Sequence, residues 1–292
     1  MGGGTYSFDD RAARSAAKGY ATKSAREIFT ARDVNSAMNP YGVEIRESRD
    51  SAEHPNSLAV VIALDVTGSM GSVPHFLVKE GLPAIMATVL GSGVADPQVL
   101  FLGIGDHECD SAPLQVGQFE SSDELLDKWL TDTYLEGGGG SNAGESYLLA
   151  WYFAAYHTAI DCFEKRGKKG YLFTIGDEPT LQTLPAAALK RIMGASQAQT
   201  LQAEDLLAAA MAKYNVFHIH VLKTNSGSRR NVVDGWRQMM ADNLILAERR
   251  ADVAGLIAAA ISGSERGSAA GADFKVKAAS APGAAGPEEM ML

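Results

Sequence analysis

The chain has 292 residues, 46% of them hydrophobic, enough for one large α/β domain with extensions and a sizeable core. It carries 35 acidic against 26 basic residues, for a formal charge of -9, and its basic clusters (Lys165-Arg166 with Lys168-Lys169, and Arg229-Arg230) are short, which excludes a surface built mainly for nucleic acid. Two distant cysteines, Cys109 and Cys162, exclude a disulfide framework or zinc ribbon and suit a reducing cytoplasm.

The opening Met1-Gly2-Gly3-Gly4-Thr5-Tyr6 shows no apolar leader, and no apolar run reaches membrane-spanning length. A cytoplasmic protein without a membrane span is expected. Residues 1–56 read as a helical N-terminal extension, with Ala13, Ala17, Tyr20 and Ile28 near helical spacing and a turn at Asn39-Pro40-Tyr41-Gly42. From Leu58 to Leu64 every residue is apolar, and the run stops at Asp65. Apolar faces on both sides mark a central strand of a parallel sheet. A helix is predicted over 73–90, with Gly81 and Pro83 as points of bending. Val99–Ile104 reads as a second strand, and Leu114–Phe119 alternates like an edge strand. Ser121 with Glu124 forms a capping-box signature for the next helix.

After Gly137-Gly138-Gly139-Gly140, one long helix is predicted to carry Tyr147, Trp151, Ala154, Thr158 and Cys162 on a single face. Tyr171–Ile175 is the next strand, ending at Gly176-Asp177. Helices near 185–193 and 200–213 lead to a strand at 216–222. A helix near 232–241, a short strand at 243–246 and a helix at 249–262 follow. This alternation predicts a doubly wound, Rossmann-like, mostly parallel sheet flanked by helices over 57–262. Residues 263–292, dominated by Ala, Gly, Ser and Pro, read as a disordered tail.

Three polar clusters fall just beyond predicted strand ends: Asp65-Val66-Thr67-Gly68-Ser69, Gly139-Gly140-Ser141-Asn142-Ala143-Gly144, and Gly176-Asp177-Glu178. Ligands of open α/β sheets bind at this edge. Thr67, Ser69 and Ser141 offer hydroxyl oxygens, and Asp65 and Asp177 offer carboxylates. An all-oxygen set without thiol or imidazole suits a hard cation, Mg²⁺ or Mn²⁺, with Ca²⁺ also accepted. Such a set leaves one coordination position for an outside ligand, for which a partner's carboxylate is the natural choice.

Asp65-x-Thr67-x-Ser69 at a strand end resembles the Asp-x-Ser/Thr-x-Ser motif of the von Willebrand factor A family. Gly140-Ser141-Asn142-Ala143-Gly144 is similar to that family's Gly-Thr-Asn-Thr-Gly segment, and Asp177 matches its remaining Asp. The resemblance covers about 57–262. It implies a metal site of Asp65, Thr67, Ser69, Ser141 and Asp177 and a module that binds a partner protein through a metal-bridged acidic residue. It also implies, for intracellular bacterial members, work beside an AAA-type ATPase. Two positions depart from the pattern: Ser141 replaces Thr, and Gly176 precedes Asp177 where the family has Asp before Gly.

Nearby, Asp106 fits either the orientation of a metal-bound water or a solvated acidic loop, and Glu178 either replaces or assists Asp177. Glu136 and Glu145 read as loop and helix-start residues, and His218-x-His220 as a strand-face pair without a third ligand. No nucleophile elbow or P-loop is present, so the reading is a binding module and not an enzyme. The alternative is a Mg²⁺-dependent phosphatase of the haloacid dehalogenase type, whose Asp-Lys-Thr-Gly-Thr loop Asp65-Val66-Thr67-Gly68-Ser69 also resembles. Asp65 would then be the nucleophile, but Val66 stands where Lys is wanted.

Overall fold

Nine consecutive buried residues, Ser57–Asp65, form the central strand β1. The computed structural model describes residues 4–68, 70, 72–136, 144–196, 199–224 and 226–267. Strands β2 (Asp96–Ile104), β3 (Leu114–Val116), β4 (Gly170–Gly176), β5 (Tyr214–Val221) and β6 (Leu244–Ala247) complete one sheet in the order β3-β2-β1-β4-β5-β6. All neighbours run parallel except β3, an antiparallel edge on β2. The sheet is the doubly wound, mostly parallel one expected. Its order reverses at β1, because the chain first adds β2 and β3 on one side and later β4 to β6 on the other. Right-handed crossovers therefore send helices to both faces.

The helices are α1 (Phe8–Lys18), α2 (Ser72–Gly91), α3 (Asp123–Thr131), α4 (Tyr147–Tyr156), α5 (Ala186–Met193), α6 (Ala203–Lys213), α7 (Arg230–Met240) and α8 (Val253–Gly267). α2 packs against α8, and α4 against α6. By length and composition alone α2 could cross a membrane, which corrects the expectation that no segment reaches that length; half of its most apolar window is buried inside the protein.

Three local expectations are also corrected. The cap of α3 is Ser122, whose Oγ accepts from Leu125 N at 3.4 Å, one residue later than the Ser121 signature. The long helix expected over 147–162 stops at Tyr156, because Thr158–Ile160 pairs in parallel with Arg46–Ser48 and a short helix, Asp161–Glu164, follows. The tail expected from 263 begins as helix, since α8 continues to Gly267; the rest of it lies outside the described residues.

Beside Gly81 and Pro83, the expected points of bending, α2 is interrupted by a π-helical turn at Leu77–Gly81. Leu82 N donates to Leu77 O, and Pro83 has no N–H, so the carbonyl of Val78 is left without an intrahelical donor. Arg11 of α1 fills that gap: one guanidinium nitrogen donates to Val78 O and another to Asp127 Oδ1 on α3. Lys18 Nζ and Tyr20 OH reach the other carboxylate oxygen at 2.7 and 2.9 Å. Both Arg11 and Asp127 are buried.

Two predictions follow from these anchors. Removing one member of a buried ion pair strands the other, so Arg11→Met should cost about 3 kcal/mol in urea unfolding. Asp127→Leu added to Arg11→Met should recover part of that loss. Asp161 joins the 46–50 segment to the domain: burial pushes its carboxyl up, but Lys165, the Asp50 N–H and Arg49 together hold it down at about 2. The stability it lends is complete above its unfolded value of about 3.9 and disappears as pH falls toward 2. Asp161→Asn should therefore flatten the acid limb of a stability–pH curve between those values.

Candidate metal centre

The three central strands end together. β1 pairs to Asp65 against Ile104 of β2, and to Leu64 against Ile175 of β4. Asp106 and Asp177 follow immediately, so three aspartates stand at the carboxyl edge where the strand order reverses. Val66 N donates to Ile104 O at 3.0 Å, extending the ladder by one residue. The chain then turns on Asp65 itself: Thr67 N and Thr67 Oγ1 donate to Asp65 Oδ1 at 2.9 and 2.6 Å. A side-chain acceptor two residues back is what closes such a turn. Met70 N to Thr67 O and Val73 N to Met70 O, at 3.0 and 2.8 Å, carry the backbone into α2.

The second oxygen of Asp65 accepts from Tyr147 OH at 3.1 Å. Tyr147 opens α4 and lies over Gly176, where a Cβ would stand 1.7 Å from the phenolic oxygen. The glycine before Asp177 is therefore a steric requirement of the tyrosine that serves Asp65. That is the physical reason for the order Gly176-Asp177.

Negative charge dominates this edge. Burial raises the Asp65 carboxyl well above the usual carboxylate range and the charge of Asp177 raises it further, while the Thr67 and Tyr147 donors pull it down. Burial raises Glu145 still more, and the charges acting most strongly on it, those of Asp65, Asp110, Asp106 and Glu178, are all negative. Glu145 Oε2 and Asp106 Oδ2 are buried without a hydrogen-bond partner. Among the described residues no three His, Cys, Asp or Glu side chains converge as a metal site by themselves.

Of the expected set, Asp65, Thr67 and Asp177 meet here, with Asp65 and Asp177 fully buried. Ser69 and Ser141 lie outside the described residues. Sequence reasoning undervalued Glu145. Its backbone joins the loop after β4, with Glu145 N on Pro179 O and Leu181 N on Glu145 O, both at 2.9 Å, and the next residue joins the loop after β2, with Ser146 N on Gly105 O at 3.1 Å. The only signal was an acid placed between a glycine run and an apolar helix. Glu136 has a loop role, accepting from Ser111 N and Ser111 Oγ at 3.1 and 2.9 Å. Asp106 is buried rather than solvated, and Asp110 Oδ2 accepts from its N–H at 2.7 Å. His218 and His220 are core residues: His218 hydrogen-bonds Thr174 Oγ1 at 2.9 Å and stacks on Trp236 with ring centroids 3.5 Å apart.

No family profile and no curated protein matches the chain. Among solved structures, the pilus adhesin SpaC from Lactobacillus rhamnosus GG in an open conformation aligns at a TM-score of 0.45 and 9% identity, over 76% of this chain and 31% of the adhesin. A von Willebrand factor type A protein from Catenulispora acidiphila aligns at 0.43 and 10% identity, over 72% of this chain and 43% of that one. The chain thus spans less than half the length of either.

The Asp65–Tyr147–Gly176 stack is testable by unfolding. Tyr147→Phe removes one donor to a buried carboxylate and should cost about 1–2 kcal/mol. Gly176→Ala forces the phenol off its seat and should cost about 3 kcal/mol.

Proposed function

We propose that this chain is a protein-binding module that works through a divalent cation, Mg²⁺ or Mn²⁺ with Ca²⁺ as a further candidate. Asp65, Thr67, Ser69, Ser141 and Asp177 would hold the cation, and an acidic residue of a partner protein would complete its coordination. The observation that carries this reading is the buried excess of negative charge at the switch point of the sheet. Asp65 and Asp177 are fully buried side by side, and beside them are unpartnered oxygens of Asp106 and Glu145. Like charges in a low-dielectric site are costly without a counter-charge. Hydroxyl and carboxylate oxygens are the donors a hard cation takes.

When bound, the cation supplies an electrophilic position that a carboxylate from outside can occupy. The chain's residues do the rest. Thr67 and Tyr147 orient the two oxygens of Asp65, and the Gly176 backbone makes room for Tyr147. Glu145 and Ser146 together tie the loops after β4 and β2 into one rim. The resemblance to the von Willebrand factor A motif supports the same residues, and its intracellular bacterial members make an AAA-type ATPase a partner worth testing. Asp65 as a phosphoryl-accepting nucleophile is disfavoured: both of its oxygens accept hydrogen bonds from within the chain and it has no exposed surface.

The test is thermal unfolding with and without Mg²⁺ or Mn²⁺, beside a phosphatase assay on a generic phosphate ester. Cation at a hundred times its dissociation constant should stabilise the chain by about 2.7 kcal/mol. Thr67→Ala and Asp65→Asn should abolish that gain, with no ester turnover by any form. A cation-independent melting temperature, or turnover lost in Asp65→Asn, would sink the proposal.

A further inference from the structure

We propose that the groove between the loop after β4 and helix α7 receives an extended acidic segment of the partner, adjoining the carboxylate that reaches the cation; this rests on the cation-binding reading above. The groove has a volume of about 310 Å³. Pro179 and Gln182 form one wall, Asn231, Gly235 and Met239 of α7 the other, with the largely buried Trp236 at its base.

The groove and the candidate metal centre share a wall. Trp236 Nε1 donates to Glu178 O at 3.0 Å, and Pro179 O accepts from Glu145 N at 2.9 Å. The first groove residue is therefore two positions from Asp177. Asn231 and Met239 are eight residues apart on α7, about 12 Å at a helical rise of 1.5 Å. That accommodates three or four residues of extended chain at about 3.3 Å each. Gln182, Asn231 and the neighbouring Gln238 expose amides, which can both donate to and accept from a peptide backbone. Half-buried Met239 and Pro179 offer apolar contact to one side chain. A Cβ on Gly235 would meet nothing within 4 Å, so this stretch of α7 is open to an occupant.

Charge sets which end of the occupant is acidic. The chain is acidic overall, at -9, and the metal centre is acidic locally, so an acidic partner needs a local cationic guide. Arg229 and Arg230 stand exposed at the amino-terminal, positive end of α7, with Arg229 Nη1 3.9 Å from Glu178 Oε2. Arg230 directly precedes the groove residue Asn231, and Glu178, which faces Arg229, directly follows Asp177. The groove's own lining includes one carboxylate, Glu204, on the Gln182 side, where Ala203 N donates to Gln182 O, so the acidic charge of the segment belongs at the Arg230 end. The recognised segment is thus an acidic residue for the cation, flanked by further acidic charge near Arg230 and an apolar side chain over Met239.

A display library of random linear peptides, panned on the full chain in Mg²⁺, tests this. Enriched peptides should pair an acidic residue with an apolar one a few positions away. A synthetic copy should lose at least about tenfold in affinity, or 1.4 kcal/mol, in Gly235→Leu and in Arg230→Glu, while Mg²⁺ still raises the melting temperature of both variants. Neither substitution threatens folding, since position 235 is open and an acid suits the first turn of a helix. Binding abolished by chelator and by Asp65→Asn but unchanged in Gly235→Leu overturns the groove assignment and leaves the cation reading standing. Binding lost in Gly235→Leu but indifferent to chelator overturns the cation reading and keeps the groove. No enrichment of acidic sequences overturns the proposal.

Discussion

Like charges buried at the end of a sheet govern this structure. Asp65 closes the central strand with both oxygens hydrogen-bonded and no exposed surface, and Asp177 and Asp106 end the two strands beside it. Desolvation and the neighbouring charge of Asp177 oppose ionisation of Asp65, and Glu145 is a further acid under the same kind of pressure. Local donors from Thr67 and Tyr147 offset part of the cost for Asp65. They leave one buried oxygen each of Asp106 and Glu145 without a hydrogen-bond partner.

The surrounding fold holds that edge in place. Tyr147 reaches Asp65 only because Gly176 has no side chain, and Glu145 with Ser146 bridges the loops after β4 and β2. On the far side, α1 reinforces α2, the helix that the Asp65–Thr67 turn feeds into. Pro83 deprives Val78 of a helical donor, and Arg11 replaces it from a distant part of the chain while pairing with Asp127. The N-terminal segment is thereby part of the packing of α2 rather than an appendage to it.

The loop after β4 has two faces. One carries the buried Asp177 at the carboxyl edge of the sheet, and the other, through Pro179 and Trp236, walls the groove along α7. A partner that binds both would engage a single continuous surface, with the acidic centre and the basic start of α7 side by side.

Much of this was legible locally. Strand-length apolar runs ending at Asp65, Ile104 and Gly176 were enough to predict a doubly wound sheet and to place Asp65, Thr67 and Asp177 on one edge, because a buried parallel strand leaves a continuous hydrophobic signature and its carboxyl end is fixed by the direction of the chain. Glu145, Arg11 and the end of α4 at Tyr156 were not legible. Their roles depend on partners more than thirty residues away: Pro179, Val78 with Asp127, and the strand Arg46–Ser48. The sequence by itself determined the layers, the strand ends and the kinds of oxygen donor available. Only the tertiary structure decided which carboxylates are buried without compensation, because desolvation and charge repulsion arise from what surrounds a group in space and leave no trace in its neighbours along the chain.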